Sequence, residues 1–290
     1  MRANVFVPGH ITGFFEICED PDPLRSGSRG CGIVINKGVY TTVEAREGEV
    51  DEIRTHVNGE AFDCPVTRTA LEELLRGQGG RYRVEVFHEL EVPMKYGFGT
   101  SAAGTLGATI ALARALGLET TLNHCGRIAH RAEVLNRTGL GDVIAECTGG
   151  VVIRERPGGP GIGMTDRLLS NDYVVAFVVG GELETSSVLL DERRKEAINR
   201  AGGECMDLLL RNPSMDNFLK LSKRFSSQID MMDEKVKGAI KTLEEKGVPA
   251  SMIMLGNSIF TLTNEPERVC ELLDYMYVVA EIDYVGARVL

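Results

Sequence analysis

Between Pro93 and Ala103 the chain reads Pro-Met-Lys-Tyr-Gly-Phe-Gly-Thr-Ser-Ala-Ala, a glycine-rich run between an alternating apolar segment and an Ala-rich one. Glycines at 97 and 99 let backbone approach a ligand, and unpaired amides at the start of the helix that follows attract anions, so the run suits a polyphosphate. Thr100 and Ser101 add hydroxyls. The spacing also satisfies G-x-G-x-x-G/A with Glu119 downstream, but Glu119 precedes a helix instead of ending a second strand, which disfavours a dinucleotide site. A Walker A loop is excluded, because no Lys stands between the last Gly and the Ser or Thr. The plainest alternative is a turn that caps a helix and binds nothing.

Phosphoryl transfer needs positive charge on the phosphates, commonly magnesium held by a hydroxyl and a carboxylate, and a group that orients or deprotonates the acceptor. Two acidic residues downstream meet that need. Glu133 follows His130 by three positions on one predicted helix, so both project to the same side. Asp142 follows the glycine-rich turn Thr138 to Gly141. Taken singly, Glu133 reads equally as a solvated helix position and Asp142 as a helix cap.

The elements that must position these groups follow from periodicity. Val5 and Val7 open an extended segment expected to end at Pro8 and Gly9, and an apolar pattern resumes from Ile11 to Ile17. A polar loop, Glu19 to Gly30, carries Ser26-Gly-Ser28-Arg-Gly30 and is expected to close over a ligand or form an ordinary surface loop. Gly32 to Glu44 and Tyr82 to Val92 alternate as strands, with a helix at Thr67 to Arg76 between them. Helices are predicted over Ser101 to Leu116 and Leu122 to Leu135, then a short helix from Asp142 and a strand over Val151 to Glu155.

Pro157 to Gly163 is the expected linker, with a domain boundary near Met164 to Ser170. Beyond it come a strand at Tyr173 to Val179, helices near Glu192 to Leu210, Asp216 to Met231 and Glu234 to Lys246, strands at Ala250 to Leu255 and Ile259 to Thr263, and a helix from Pro266 to Met276. That order suits a small ferredoxin-like α+β unit.

With 290 residues, 43% of them hydrophobic and 26% charged, the chain can bury two cores. Its 42 acidic against 32 basic residues, a net charge of -10, exclude broad attraction to nucleic acid or an anionic membrane. Seven scattered cysteines without CxxC spacing read as buried hydrophobes in a reducing compartment. No apolar run reaches signal-peptide or membrane-spanning length, so a cytoplasmic location is expected.

Together these motifs resemble the GHMP kinase superfamily. The loop is similar to its P-x-x-x-G-L-G-S-S-A-A signature, with Phe98 and Thr100 as variants. Glu133, Gly141-Asp142 and the pair Gly149-Gly150 recur in the family's order. The resemblance implies a two-domain α+β fold, a mixed-sheet domain over 1–166 carrying the loop and a ferredoxin-like domain over 167–290. It implies ATP held by Pro93, Gly97, Gly99, Thr100, Ser101, Ala102 and Ala103, Mg2+ held by Ser101 and Glu133, and Asp142 beside the acceptor hydroxyl.

His10 stands where the family has Lys or Arg in a Pro-x-Lys/Arg opening, which weakens a phosphate-neutralising role for that position. The third family motif is reduced to Met254-Leu-Gly-Asn-Ser258. That departure, with Pro8 to Phe15, Ser26 to Gly30 and Glu184 to Ser187, is similar to an archaeal branch acting on a short hydroxy acid in coenzyme A synthesis. Such an acceptor needs one cation and a few hydrogen-bonding groups. Arg154 is the expected cation, with Ser26, Ser28, His130 and Thr185 as hydrogen-bonding partners. A mevalonate or homoserine type of kinase, a sensor without chemistry and a dinucleotide-dependent oxidoreductase are the alternatives. A homodimer is expected by the same analogy.

Overall fold

The structure is a computed structural model that describes residues 1–182 and 192–290. Thr185 and the Glu184 to Ser187 stretch lie outside the described residues. Two long strands organise the first sheet: β1 (Arg2–Cys18) and β2 (Gly27–Glu47) pair antiparallel along almost their full length. Around them lie β3 (Glu52–Val57), β4 (Glu60–Ala61), β5 (Tyr82–Leu90), β6 (Val151–Arg156), β7 (Met164–Leu168) and β12 (Arg288–Val289). The order is β12-β1-β2-β5-β3-β4, with β6 and β7 extending from the N-terminal half of β2. The β3–β5 pair is parallel and the others antiparallel, so the sheet is mixed.

Helices α1 (Pro65–Leu75), α2 (Thr100–Ala115) and α3 (Leu122–Asn136) pack together, and α2 also packs on β1 and β2. α2 is apolar on every side and is buried from Ala102 through Ala113. Its small residues let it lie close to the sheet, with Gly107 against Thr41 and Val7. The short helix α4 (Asp142–Thr148) continues this layer.

The second sheet holds β8 (Tyr173–Val178), β9 (Ser251–Ile253), β10 (Ser258–Thr263) and β11 (Met276–Glu281) in the order β11-β8-β10-β9, all antiparallel. Helices α5 (Glu192–Arg211), α6 (Met215–Gln228) and α7 (Glu234–Glu245) separate β8 from β9, and α8 (Pro266–Cys270) precedes β11. Numbered within this sheet the strands run 4-1-3-2, the ferredoxin-like order. Phe14 and Phe15 of β1 pack on Phe218 and Phe225 of α6, so one apolar core joins the second sheet to the N-terminal half of β1. Among the described residues no helix is long and apolar enough to cross a membrane.

Several expectations need correction. Pro8 and Gly9 do not end a strand. β1 runs through them with a register shift, a bulge that tolerates the missing proline N–H. Ser28 and Gly30 belong to β2 instead of a closing loop, because pairing with β1 resumes at Gly27 opposite Cys18. Pro157 to Gly163 connects β6 to β7 within the first sheet, so residue 166 lies inside a paired strand. The last helix stops at Cys270, and Met276, Tyr277, Val278 and Val279 form a strand, as their β-branched and aromatic types favour.

Candidate active site

The bulge in β1 fastens the glycine-rich segment. It frees the His10 N–H to bond the Phe98 carbonyl at 3.1 Å. On either side of Phe98 the backbone is left-handed, with φ 88° at Gly97 and 68° at Gly99. A Cβ on Gly97 would lie 2.6 Å from Ile253 Cγ2 and 3.0 Å from the Met254 carbonyl, so glycine is what lets the loop meet the second sheet. Gly99 caps α2 without a side chain, and Ala103 N makes the first helical bond back to its carbonyl. The amides before Ala103 lack intrahelical acceptors, as at any helix start, which suits phosphate oxygens.

Ser101, two positions after the Gly99 cap, donates its hydroxyl to Glu133 Oε1 at 2.6 Å. Glu133 is 2% exposed. Burial, helped by the Asp142 charge and opposed by the Ser101 and Thr138 hydroxyls, pushes its carboxyl up to about 7. A Cβ on Gly139 would collide with Glu133 Oε2 and stand 3.2 Å from Asp142 Oδ2, so both carboxylates face one turn. Among the described residues no three His, Cys, Asp or Glu gather as a metal cage. One hydroxyl and one carboxylate beside a phosphate loop match the habit of magnesium, which takes few protein ligands and completes its shell with phosphates and water. The residues present fit the group.

Asp142 opens α4 and is held from behind by a buried chain of polar groups. Its Oδ1 lies 2.7 Å from His10 Nδ1, His10 Nε2 lies 3.3 Å from Arg154 Nη1, and Arg154 Nε donates to Ser28 Oγ at 3.2 Å. Arg154 is 1% exposed, on β6 beside β2. Gly141 makes the room: a Cβ there would strike Ser28 Oγ and lie 2.7 Å from Arg154 Nε. Burial lowers the His10 pKa despite Asp142. Burial works to raise Asp142, but its bond to His10 and the charge of Arg154 outweigh it and bring the carboxyl below its ordinary value. The contact is thus a hydrogen bond between neutral imidazole and carboxylate.

A small cleft opens where this chain ends. Thr12, Phe15, Ser28, Leu140, Asp142, Arg154 and Leu255 line it. It offers one cation, one carboxylate, two hydroxyls and an apolar wall, a composition for a small polar molecule with an apolar part.

Ser28 and Arg154 therefore share the cleft with Asp142. Ser26 does not share their cleft. Its hydroxyl accepts from Asp20 N and donates to the Asp20 carbonyl. His130 Nε2 donates to the Ser26 carbonyl at 2.8 Å and ties the 19–26 loop to α3. Sequence reasoning missed Glu146, one turn after Asp142. It is fully buried with no hydrogen-bond partner on either oxygen. Burial and the charges of Asp142 and Glu133 raise its pKa well above the ordinary value. Its i, i+4 spacing from Asp142 was the available signal. Phe15 and Leu255 were missed because only the tertiary fold brings them to Asp142.

Comparison with known proteins places the chain in a family. Residues 66–150 match the family model described as the GHMP kinases N terminal domain. The pantoate kinase of Thermococcus kodakarensis is 36% identical over 97% of this chain and 96% of its own. That of Methanocaldococcus jannaschii is 34% identical over 90% and 93%. A solved structure described as a phosphotransferase related to the CoA biosynthesis pathway superimposes with a TM-score of 0.91 at 33% identity, covering 100% of this chain and 99% of that one. Identity at this level, sustained over nearly the whole of both chains, makes this chain a member of the pantoate kinase family of GHMP kinases.

Proposed function

We propose that this chain transfers the γ-phosphoryl group of ATP to the primary hydroxyl of pantoate, giving ADP and 4-phosphopantoate for coenzyme A synthesis. The observation that carries the reading is the cleft in which Asp142, Arg154 and Ser28 meet Phe15, Leu140 and Leu255, with Asp142 joined through His10 to the glycine-rich loop. Arg154 and Ser28 bind the acid's carboxylate and a hydroxyl, and the apolar wall takes its gem-dimethyl group. Ser26 and His130 shape the cleft by fixing the 19–26 loop.

Pro93, Gly97, Gly99, Thr100, Ser101, Ala102 and Ala103 form the cradle for ATP. Ser101 and Glu133 would hold Mg2+, which supplies positive charge to the phosphates. Asp142, kept anionic by His10 and Arg154, accepts a hydrogen bond from the acceptor hydroxyl and orients its oxygen toward the γ-phosphorus. As the new P–O bond forms and the bond to the β-phosphate oxygen breaks, the hydroxyl proton passes to Asp142 and then to solvent.

We further propose a cytoplasmic location, in keeping with the seven free cysteines, and a division near residues 164–170 into a loop-bearing part and a ferredoxin-like part. Purified protein with ATP and Mg2+ is assayed for ADP release with pantoate, mevalonate and homoserine. ADP release that depends on pantoate is expected, and release driven by mevalonate or homoserine alone overturns the acceptor assignment.

A further inference from the structure

His10 occupies the position where the family has a fixed cation, yet its surroundings do not suit a cation. Arg154 carries only N–H donors and stays charged, so in the 3.3 Å contact Arg154 Nη1 is the donor and His10 Nε2 the acceptor. The ring proton is then on Nδ1, where it is donated to Asp142 Oδ1 at 2.7 Å. A doubly protonated ring would set two donors, both on cations, against each other. The ring has no room to turn away: a Cβ on Gly32 would collide with His10 Nε2, and the His10 N–H is tied to Phe98. Asp142 and Arg154 are the charged groups acting on the imidazole.

We propose that His10, as a neutral imidazole protonated on Nδ1, is a positioning residue that joins the hydroxyl-orienting carboxylate Asp142 to the acceptor-binding cation Arg154 in one hydrogen-bonded chain. Naming Arg154 and Asp142 by those roles rests on the pantoate kinase reading, whereas the tautomer and the chain of contacts do not. Two consequences separate this from a phosphate-neutralising residue. Loss of His10 disturbs the acceptor more than the nucleotide. A lysine there, although usual for the family, cannot accept from Arg154 and replaces a hydrogen bond with like-charge repulsion.

The test has two arms. In the first, two-bond 1H–15N correlation spectra of uniformly labelled protein report the His10 ring, its signals identified by their absence from His10→Asn or, should that variant not fold, His10→Gln. A pyrrole-type Nδ1 and a pyridine-type Nε2 at pH 7 are expected. An Nε2–H tautomer or an imidazolium overturns the proposal. This arm needs no substrate, so it stands even if pantoate proves to be the wrong acceptor.

In the second arm, steady-state kinetics of His10→Asn, which keeps a donor near the Nδ1 position but no acceptor near Nε2, are compared with His10→Lys. A rise in the KM for pantoate on the order of tenfold, larger than any rise for ATP, is expected for His10→Asn, as for one lost hydrogen bond to a charged group. His10→Lys is expected to lose more of kcat/KM than His10→Asn. A KM change confined to ATP, or a lysine variant as active as the parent, overturns the proposal.

Discussion

Ser101 Oγ and Glu133 Oε1 lie 2.6 Å apart, joining the first turn of α2 to a buried carboxylate on α3. Gly99 is the N-cap, and Ser101 stands two positions further along, in the first turn of the helix. The pair of Ser101 and Glu133 gives a pH signature to the protein without nucleotide. Glu133 has an ordinary pKa of 4.5 and is raised to about 7, so the folded state binds the extra proton. Its contribution to stability is full below about 4.5 and is lost as pH rises through about 7, about 3 kcal/mol in all. Glu133→Gln should flatten the midpoint of thermal unfolding against pH across that window. An unchanged slope contradicts the assignment.

Asp142→Asn keeps the shape of the acceptor side but removes the negative charge. Turnover should fall by about 10²–10⁴, the range for a positioned acid–base group. ATP affinity, read by calorimetry, should stay within a few-fold of the parent. Loss of ATP binding in step with turnover would move Asp142 to the nucleotide side.

Glu146, buried with both oxygens unpartnered, works against folding whenever it is charged. Its pKa is raised by burial and by Asp142 and Glu133, so stability declines as pH climbs above the ordinary 4.5. Glu146→Gln should therefore unfold at a higher temperature than the parent at pH 8, with the advantage shrinking toward pH 4. Differential scanning calorimetry at the two pH values checks it, and a variant less stable at pH 8 contradicts it.

Gly99→Ala forces a side chain into φ 68°, at a cost of about 1–2 kcal/mol. Its Cβ would stand 2.8 Å from Glu146 Oε1 and 3.4 Å from His10 Cβ. The turn must shift, and with it the amides that open α2. The KM for ATP should rise at least tenfold, whereas Gly117→Ala, at φ 68° with open space around it, should leave kinetics intact and lower stability alone.

Local chemistry made much of this legible in sequence. Glycines 97 and 99 before an Ala-rich run announced the loop, and α2 begins within one residue of the position its pattern indicates. Helices α5 to α7 lie close to the ranges expected for them. What escaped depended on partners distant in the chain. Pro8-Gly9 read as a turn because the β2 partner that turns it into a bulge is some thirty residues away. The role of His10 was hidden for the same reason, since its ring neighbours are Asp142 and Arg154. The expected last helix ends at Met276, where β11 begins, and the strand itself has no counterpart in the sequence reading because its pairing partner β8 lies a hundred residues earlier.

The most direct measurement is mass-spectrometric and 31P analysis of the product formed from ATP, Mg2+ and pantoate by the parent protein and by Ser101→Ala, Glu133→Gln and Asp142→Asn. One phosphate on the primary hydroxyl of pantoate should accumulate with the parent and be nearly lost with each variant. Unmodified pantoate with the parent, or undiminished product with all three variants, would show that the convergence of these side chains is not what transfers the phosphate.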